Sequence, residues 1–220
     1  FSRNDWMTLA DFIKKNSPEV PVRGEFGLSK MVRAVATIRL AVDAIGLKGN
    51  ILSAYLVYEV CEDVDLSLVQ ETFGHEIAET IASFCRIDAL EIKPETVKTD
   101  NFRNLLVSQA GDMRVVLILI AKCVDLMRRI RDTECEDAKL RVATEAAYVY
   151  APLAHKLGLY KLKSELEDLS LKYLEHEAYY MIKDNLNATK RSRDAYIERF
   201  IAPIRSELDK HGYKYHIKGR

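Results

Sequence analysis

Residues 113–130 read MRVVLILIAKCVDLMRRI, and whether they form strand or helix decides the fold. On residue type alone, Val115 to Ile120 suit a buried strand. The apolar positions continue, however, through Ala121, Val124 and Met127 at spacings of three and four, the repeat of a helix. The stretch therefore predicts a central helix buried on every side.

Helical spacing recurs on both sides of it. Asn4 or Asp5 suits the N-cap of a first helix burying Trp6, Leu9, Phe12 and Ile13, and Pro18 to Gly27 reads as a loop. Ser29 opens a long helix with Val32, Val35, Ile38, Val42 and Ile45 as its apolar stripe, stopping near Gly46 and Gly49. Asn50 caps the next helix, through Leu52, Leu56 and Val60. Ser67 with Gln70 makes a capping-box pattern, and a helix from about His75 to Cys85 follows. Arg86 to Thr99, which contains Pro94, reads as an exposed loop, and Asp100 caps Asn101 to Ala110. Downstream, helices are expected over Glu136–Tyr150, Tyr160–Tyr173, Glu177–Asn187 and Arg193–His211, with a break at Pro152 and a kink at Pro203. Only Tyr213 to Ile217 alternates like a strand, and a lone strand has no partner. The expectation is an all-α domain followed by the stub of something else.

The composition fits a soluble globular chain: 220 residues, 33 basic against 33 acidic, 48% hydrophobic. At this length folding buries roughly 70% of the unfolded surface, so no disulfide or metal staple is required. No apolar run reaches about 18 residues, which argues against a membrane span. The start at Phe1 has neither an initiator methionine nor a signal-like segment and reads as a trimmed fragment. A net charge of zero argues against a uniformly basic, DNA-coating surface. Beneath that zero, Gly49 to Cys85 holds seven acidic residues and no Lys or Arg, while Lys183 to Arg220 carries a net +5. That basic tail reads as a solvated helix face. Cys61, Cys85, Cys123 and Cys135 form no C-x-x-C pair, which argues against a zinc site. They are expected as reduced, mostly buried thiols of a cytoplasmic protein.

Residues 150–158, YAPLAHKLG, followed by LKSELEDLS at 162–170 and Tyr173-Leu174-Glu175, resemble the RelA/SpoT homologues, the bacterial synthetase/hydrolases of (p)ppGpp. Asp112 to Ile118 and Phe73-Gly74 are similar to the family's hydrolase domain as well. The resemblance implies three parts. Residues 1–150 would be a hydrolase-like HD domain built as a multi-helix bundle, and 151–192 a helical connector. Residues 193–220 would be the truncated edge of an α/β synthetase domain, opening on the strand stub.

What the resemblance implies chemically is lost at its central positions. The family hydrolase removes a 3′ pyrophosphate with Mn²⁺ held by His, His-Asp and Asp ligands, and the bound water is the nucleophile. No histidine precedes His75 here. Where the family reads LLHDVVEDT, this chain has Leu56 to Val64, so Tyr58 and Glu59 replace the His-Asp pair. Gap-free counting puts the earlier His at Ala34. The family's ADRLHNMR becomes Ala121 to Arg128, with Lys122 at the last metal-binding Asp and Asp125 at the neighbouring His. An ammonium has no lone pair and repels a cation, but it could pair with Glu59 and fill the vacated charge site.

Ala34, Tyr58, Glu59 and Lys122 are therefore degenerate catalytic positions, with no catalytic residue, metal or cofactor expected in these residues. The family synthetase uses Mg²⁺, and its nucleotide-binding run opens at Arg220. Glu62 and Asp63 match the family's catalytic acidic pair. With Glu59 they would share a helical face, either as a remnant guanine-nucleotide site or as a solvated acidic helix end. His155 is expected to make a structural hydrogen bond, and Tyr148, Tyr150, Tyr160 and Tyr173 to serve the core. Three functions stand open: a non-hydrolytic regulatory domain of a GTP pyrophosphokinase in the stringent response; an active hydrolase using Glu59, Glu62, Asp63 and Asp125 as displaced ligands; and a helical scaffold. The expected partners are the synthetase domain of the same chain, guanine nucleotides and, through the parent protein, the ribosome.

Overall fold

The computed structural model describes residues 3–18, 27, 29–90, 94–133 and 135–216. Among them the regular structure is helical throughout. Packing divides the chain into residues 1–174 and 175–220.

The first unit is built around α8 (Met113–Arg129). Val115, Val116, Ile118, Ile120, Ala121 and Val124 are fully enclosed, so this helix is apolar nearly all round. Its start is fixed by Asp112, whose side chain accepts from the Arg114 N–H at 2.8 Å. Around it pack α2 (Lys30–Leu40), α3 (Asn50–Val60), α5 (His75–Asp88), α7 (Asp100–Ala110), α9 (Glu136–Glu145) and α11 (Tyr160–Leu174). The shell is completed by α1 (Arg3–Asn16), α4 (Leu66–Phe73), α6 (Pro94–Val97) and α10 (Ala151–Lys156). Wider π-helical turns at Ala41–Ile45 and Ala146–Tyr150 extend α2 and join α9 to α10.

The strand-or-helix question at 113–130 is thus resolved as helix, but several local expectations need correction. On α2 and its π-turn the expected stripe turns inward only in part, at Ile38 and Ile45, which pack against the core. Val32 and Val35 are exposed, while Arg33, Ala34, Thr37 and Ala41 are buried. Small side chains let α2 approach α3 and α8 closely, and the polar ones find partners there. Trp6 is 57% exposed, although Leu9, Phe12 and Ile13 are buried as expected. Helix starts fall slightly earlier than expected. Gly49 precedes α3, Asp65 accepts from the Ser67 N–H at 2.8 Å, and Thr99 accepts from the Phe102 N–H at 3.2 Å. Asp100 instead pairs with Arg103. Helix α5 runs on to Asp88, and α6 occupies part of the expected loop. Of the expected loop from Pro18 to Gly27, residues 19–26 lie outside the described residues.

Pro152 does not break the chain into separate helices. It sits in the first turn of α10, where its missing N–H follows a π-turn whose bonding already departs from the regular helix. Two of the four thiols, Cys85 and Cys135, are exposed. Cys61 and Cys123 are buried, and burial pushes the Cys61 thiol up to about 11, which leaves it inert.

The second unit is one helix, α12 (His176–Lys210), rather than two. Residues 188–192 carry no Gly or Pro, so nothing breaks the helix between its halves. Pro203 lies inside it. Gly212, at φ +67°, ends the helix, and the Tyr213 N–H reaches back to the Leu208 carbonyl at 3.2 Å. The strand expected over Tyr213 to Ile217 does not form across Tyr213–His216, where no neighbouring strand offers a hydrogen-bond ladder; Ile217 lies outside the described residues.

The exposed start of the α2 stripe and the enclosure of α8 can be checked together. Ile118→Ala is expected to lower stability by about 2–5 kcal/mol in urea unfolding. Val35→Ala, on the exposed side of α2, should change it by no more than about 0.5 kcal/mol.

Candidate functional site

Helices α2, α3 and α8 converge on one carboxylate. Glu59, on the last turn of α3, is 8% exposed. Its Oε1 lies 3.0 Å from Arg33 Nη2 on α2, and its Oε2 lies 3.0 Å from Lys122 Nζ on α8. One turn earlier on α3, the fully buried Tyr55 donates its hydroxyl to the same Oε2 at 3.4 Å. A buried carboxylate is costly unless its oxygens are paired, and here each oxygen meets a cation. The pairing expected between Lys122 and Glu59 is therefore present. Arg33 is a second member that the sequence did not reveal.

Tyr58 projects differently. Its hydroxyl is donated to Asp88 on α5, its ring stacks on Phe84 at 4.9 Å, and Lys122 Nζ stands 5.5 Å from its centroid. Burial and then the Asp88 charge push its phenol far above the usual range; burial and then Glu59 raise Tyr55 likewise. Both therefore act as neutral O–H donors. Ala34 is fully enclosed and contributes only a methyl group.

The Mn²⁺ implied by the family resemblance does not fit these residues. A divalent cation there needs imidazole and carboxylate lone pairs. Lys122 instead supplies a protonated amine, Tyr58 turns its hydroxyl to Asp88, and Glu59 is already paired with two cations. Among the described residues, no three His, Cys, Asp or Glu side chains are grouped so as to hold a metal.

The displaced ligand set is not assembled either. Helix α3 ends at Val60, so Glu62 and Asp63 share no helical face with Glu59. Glu62 is exposed and paired with Lys30 at 3.0 Å; Asp63 is exposed and left-handed, at φ +46°. Asp125 is buried on α8, bound through Oδ1 to Arg129 Nε at 2.9 Å, and its Oδ2 has no hydrogen-bond partner among the described residues. Arg220 lies outside the described residues. His155 is exposed, meeting the Tyr160 ring edge-on at 5.7 Å instead of making the expected hydrogen bond. Tyr160 is 63% exposed and Tyr148 lies at the surface, while Tyr150 and Tyr173 pack against the core.

This helical frame, with its centre at the ends of α2 and α3 and in mid-α8, falls within residues 24–160, which match the model of the HD domain. The chain belongs to the HD-domain family. Its relatives make it an HD region of the RelA/SpoT type. It is 29% identical over 186 residues to the guanosine-3′,5′-bis(diphosphate) 3′-pyrophosphohydrolase of Aquifex aeolicus, covering 83% of this chain and 26% of that protein. It is 30% identical over 172 residues to the bifunctional (p)ppGpp synthase/hydrolase SpoT of Escherichia coli, covering 77% and 24%. It is 34% identical over 154 residues to the GTP pyrophosphokinase of Myxococcus xanthus, covering 68% and 20%. The chain thus spans about a quarter of the length of these curated relatives. Among solved structures, a metazoan SpoT orthologue described as hydrolysing ppGpp shares the fold. Its TM-score is 0.54 at 13% identity, covering 81% of this chain and 98% of that one.

Arg33 escaped the sequence because HD-domain position counting pointed to its neighbour, Ala34. The available signal was the run Arg33-Ala34, Thr37, Ala41, a stripe of small and polar residues at helical spacing. The clamp predicts asymmetric costs. Glu59→Gln leaves Arg33 and Lys122 facing an uncharged group and is expected to cost about 3–5 kcal/mol in urea unfolding. Lys122→Met leaves the Arg33–Glu59 pair intact and should cost only about 1–2 kcal/mol.

Tyr55 and Tyr58 hold their protons more tightly folded than unfolded. Their contribution to stability is intact below about pH 10 and declines as pH rises above it. Absorbance titration should show both phenols ionising only together with unfolding.

Proposed function

We propose that this chain is a hydrolase-type HD domain that has lost metal-dependent hydrolysis and serves as a regulatory part of a longer RelA/SpoT-type protein in guanosine tetraphosphate metabolism. The observation behind this is the Arg33–Glu59–Lys122 clamp. Two protein cations would then stand where the family resemblance implies a metal and its nucleophilic water. An ammonium cannot bind and activate water as a Lewis acid does.

The longer protein would be a GTP pyrophosphokinase, transferring pyrophosphate from ATP to the 3′-hydroxyl of GTP or GDP. The pyrophosphokinase among the relatives supports this, as does the bifunctional one. We place residues 1–150 as the hydrolase-like domain, 151–192 as the connector and 193–220 as the edge of the synthetase domain. The last boundary falls within the continuous helix α12. The partner would be the synthetase domain of the same chain, with guanine nucleotides and the ribosome as further candidates. Among the described residues, no helix is long and apolar enough to cross a membrane; the cytoplasmic role is proposed from the RelA/SpoT-type relatives.

The test is incubation with ppGpp and Mn²⁺, with GDP and pyrophosphate measured as products. Release no faster than in protein-free controls is expected. EDTA-sensitive release would overturn the proposal and favour a working hydrolase. Tight ppGpp binding without release would separate a regulatory domain from a scaffold.

A further inference from the structure

A cavity of about 150 Å³ opens between α5, α7, α8 and the end of α9. Phe102, Leu106 and Leu119 are among its apolar walls. A dry cavity of this size holds one six-membered ring. Arg33 and Glu59 do not line it, so the chamber lies beside the clamp rather than within it. Tyr150, the last residue of the π-turn at Ala146–Tyr150, forms part of the wall. Its hydroxyl meets no hydrogen-bond partner among the described residues. Burial, and then the Glu145 charge, push that phenol well above the usual range, so it remains an O–H donor. A donor left unmade in an apolar wall is costly, and an acceptor brought in by a ligand recovers the loss.

Lys122, Asp88 and Glu145 bring charge to the chamber. Lys122 and Arg33 share a single carboxylate, Glu59, so the Lys122 side keeps a net positive charge, which disfavours a cation. Asp88, exposed and accepting from the Tyr58 hydroxyl, disfavours an anion. Glu145 is engaged in an interaction of its own. Stripping a full charge of water in an apolar chamber is costly for either sign. The ligand that fits is therefore uncharged and carries an acceptor for the Tyr150 donor.

We propose that this cavity binds a single uncharged aromatic ring bearing a hydrogen-bond acceptor, a ring nitrogen or a carbonyl oxygen, to which the Tyr150 hydroxyl donates. The ring lies among Phe102, Leu106 and Leu119. The site goes beyond the function proposed above and does not depend on it. A chamber that admits one six-membered ring is too small for a bicyclic purine with its sugar and phosphates.

Calorimetric titration with benzene and pyridine, close in volume and different in one acceptor, tests this at a pH where pyridine is uncharged. Pyridine is expected to bind about three- to tenfold more tightly than benzene. Tyr150→Phe should abolish that preference by weakening pyridine, and leave benzene affinity within about twofold. Since the hydroxyl has no described protein partner to lose, Tyr150→Phe should not lower the melting temperature. Benzylamine and benzoate, the charged counterparts, should bind more weakly than pyridine. Equal affinity for benzene and pyridine, a preference that survives in Tyr150→Phe, or a marked fall in that variant's melting temperature would each overturn the proposal. So would tighter binding of either charged ring, or no binding of any probe at millimolar concentration. Displacement of pyridine by ppGpp would overturn it as well, by placing the cavity inside a nucleotide site. Because ring binding is read rather than ppGpp turnover, failure here leaves the fate of the hydrolase chemistry untouched.

Discussion

One buried carboxylate between two cations sets the geometry of the first unit. Stripping Glu59 of water costs several kcal/mol unless both oxygens are paired at good distance. Arg33 and Lys122 meet that requirement from two different helices, each at 3.0 Å. The consequence reaches beyond the site. To deliver Arg33 inward, α2 must turn its polar and small residues to the core and leave Val32 and Val35 in solvent. The N-terminal part of an apolar stripe is thereby given up to a charge, while Ile38 and Ile45 stay packed on the core. Ala34 and Ala41, both fully enclosed, let the helix come close enough for the arginine to reach.

The same constraint explains what the sequence could and could not disclose. Helix α8 was legible because its apolar residues continue past Ile120 at helical spacing, and a buried strand has no reason to keep that period. The Lys122–Glu59 pair was legible because two substitutions of opposite charge fall at positions that the family resemblance brings together. Arg33 was not, since helical periodicity assumes that the apolar side faces inward, and here a buried ion pair overrides it. The supposed acidic face of Glu59, Glu62 and Asp63 failed because α3 ends at Val60. Spacing of i, i+3 and i+4 has meaning only while the helix lasts. Helix α12 was divided in the sequence because polar residues without apolar period resemble a loop, although their intrinsic propensity allows helix to continue.

Charge on α8 is handled pair by pair. Arg114 meets Asp112 and Glu76, Asp125 meets Arg129, and Arg128 makes a two-pronged contact with Glu165 on α11. These contacts differ in weight. Exposed pairs contribute little, because water screens them and the long side chains lose freedom. Arg128–Glu165 is part-exposed, with both prongs made, and serves chiefly to fix how α11 meets α8. Asp125 leaves one buried oxygen without a described partner, so its placement costs stability rather than adding to it. Among these ion pairs of described residues, Lys122 alone joins its helix to two others through a single buried acceptor.

That difference bears on how an HD frame can outlive a change in its centre. A structure at 13% identity retains the helical arrangement, so the frame tolerates replacement of most of its side chains. The frame does need charge balance around whatever carboxylate faces inward from α3. A divalent ion supplies two positive charges at one point and leaves room for water. Arg33 and Lys122 supply the same two charges at two points, each tied to its own helix, and occupy the oxygens directly. Structurally the exchange is close to even, since Glu59 faces two positive charges either way. Chemically it is not, because side-chain cations donate protons in hydrogen bonds but offer no vacant orbital to a water oxygen. Stability and hydrolysis therefore make separate demands on one position, and under the proposed reading a lysine at 122 would satisfy the first while failing the second.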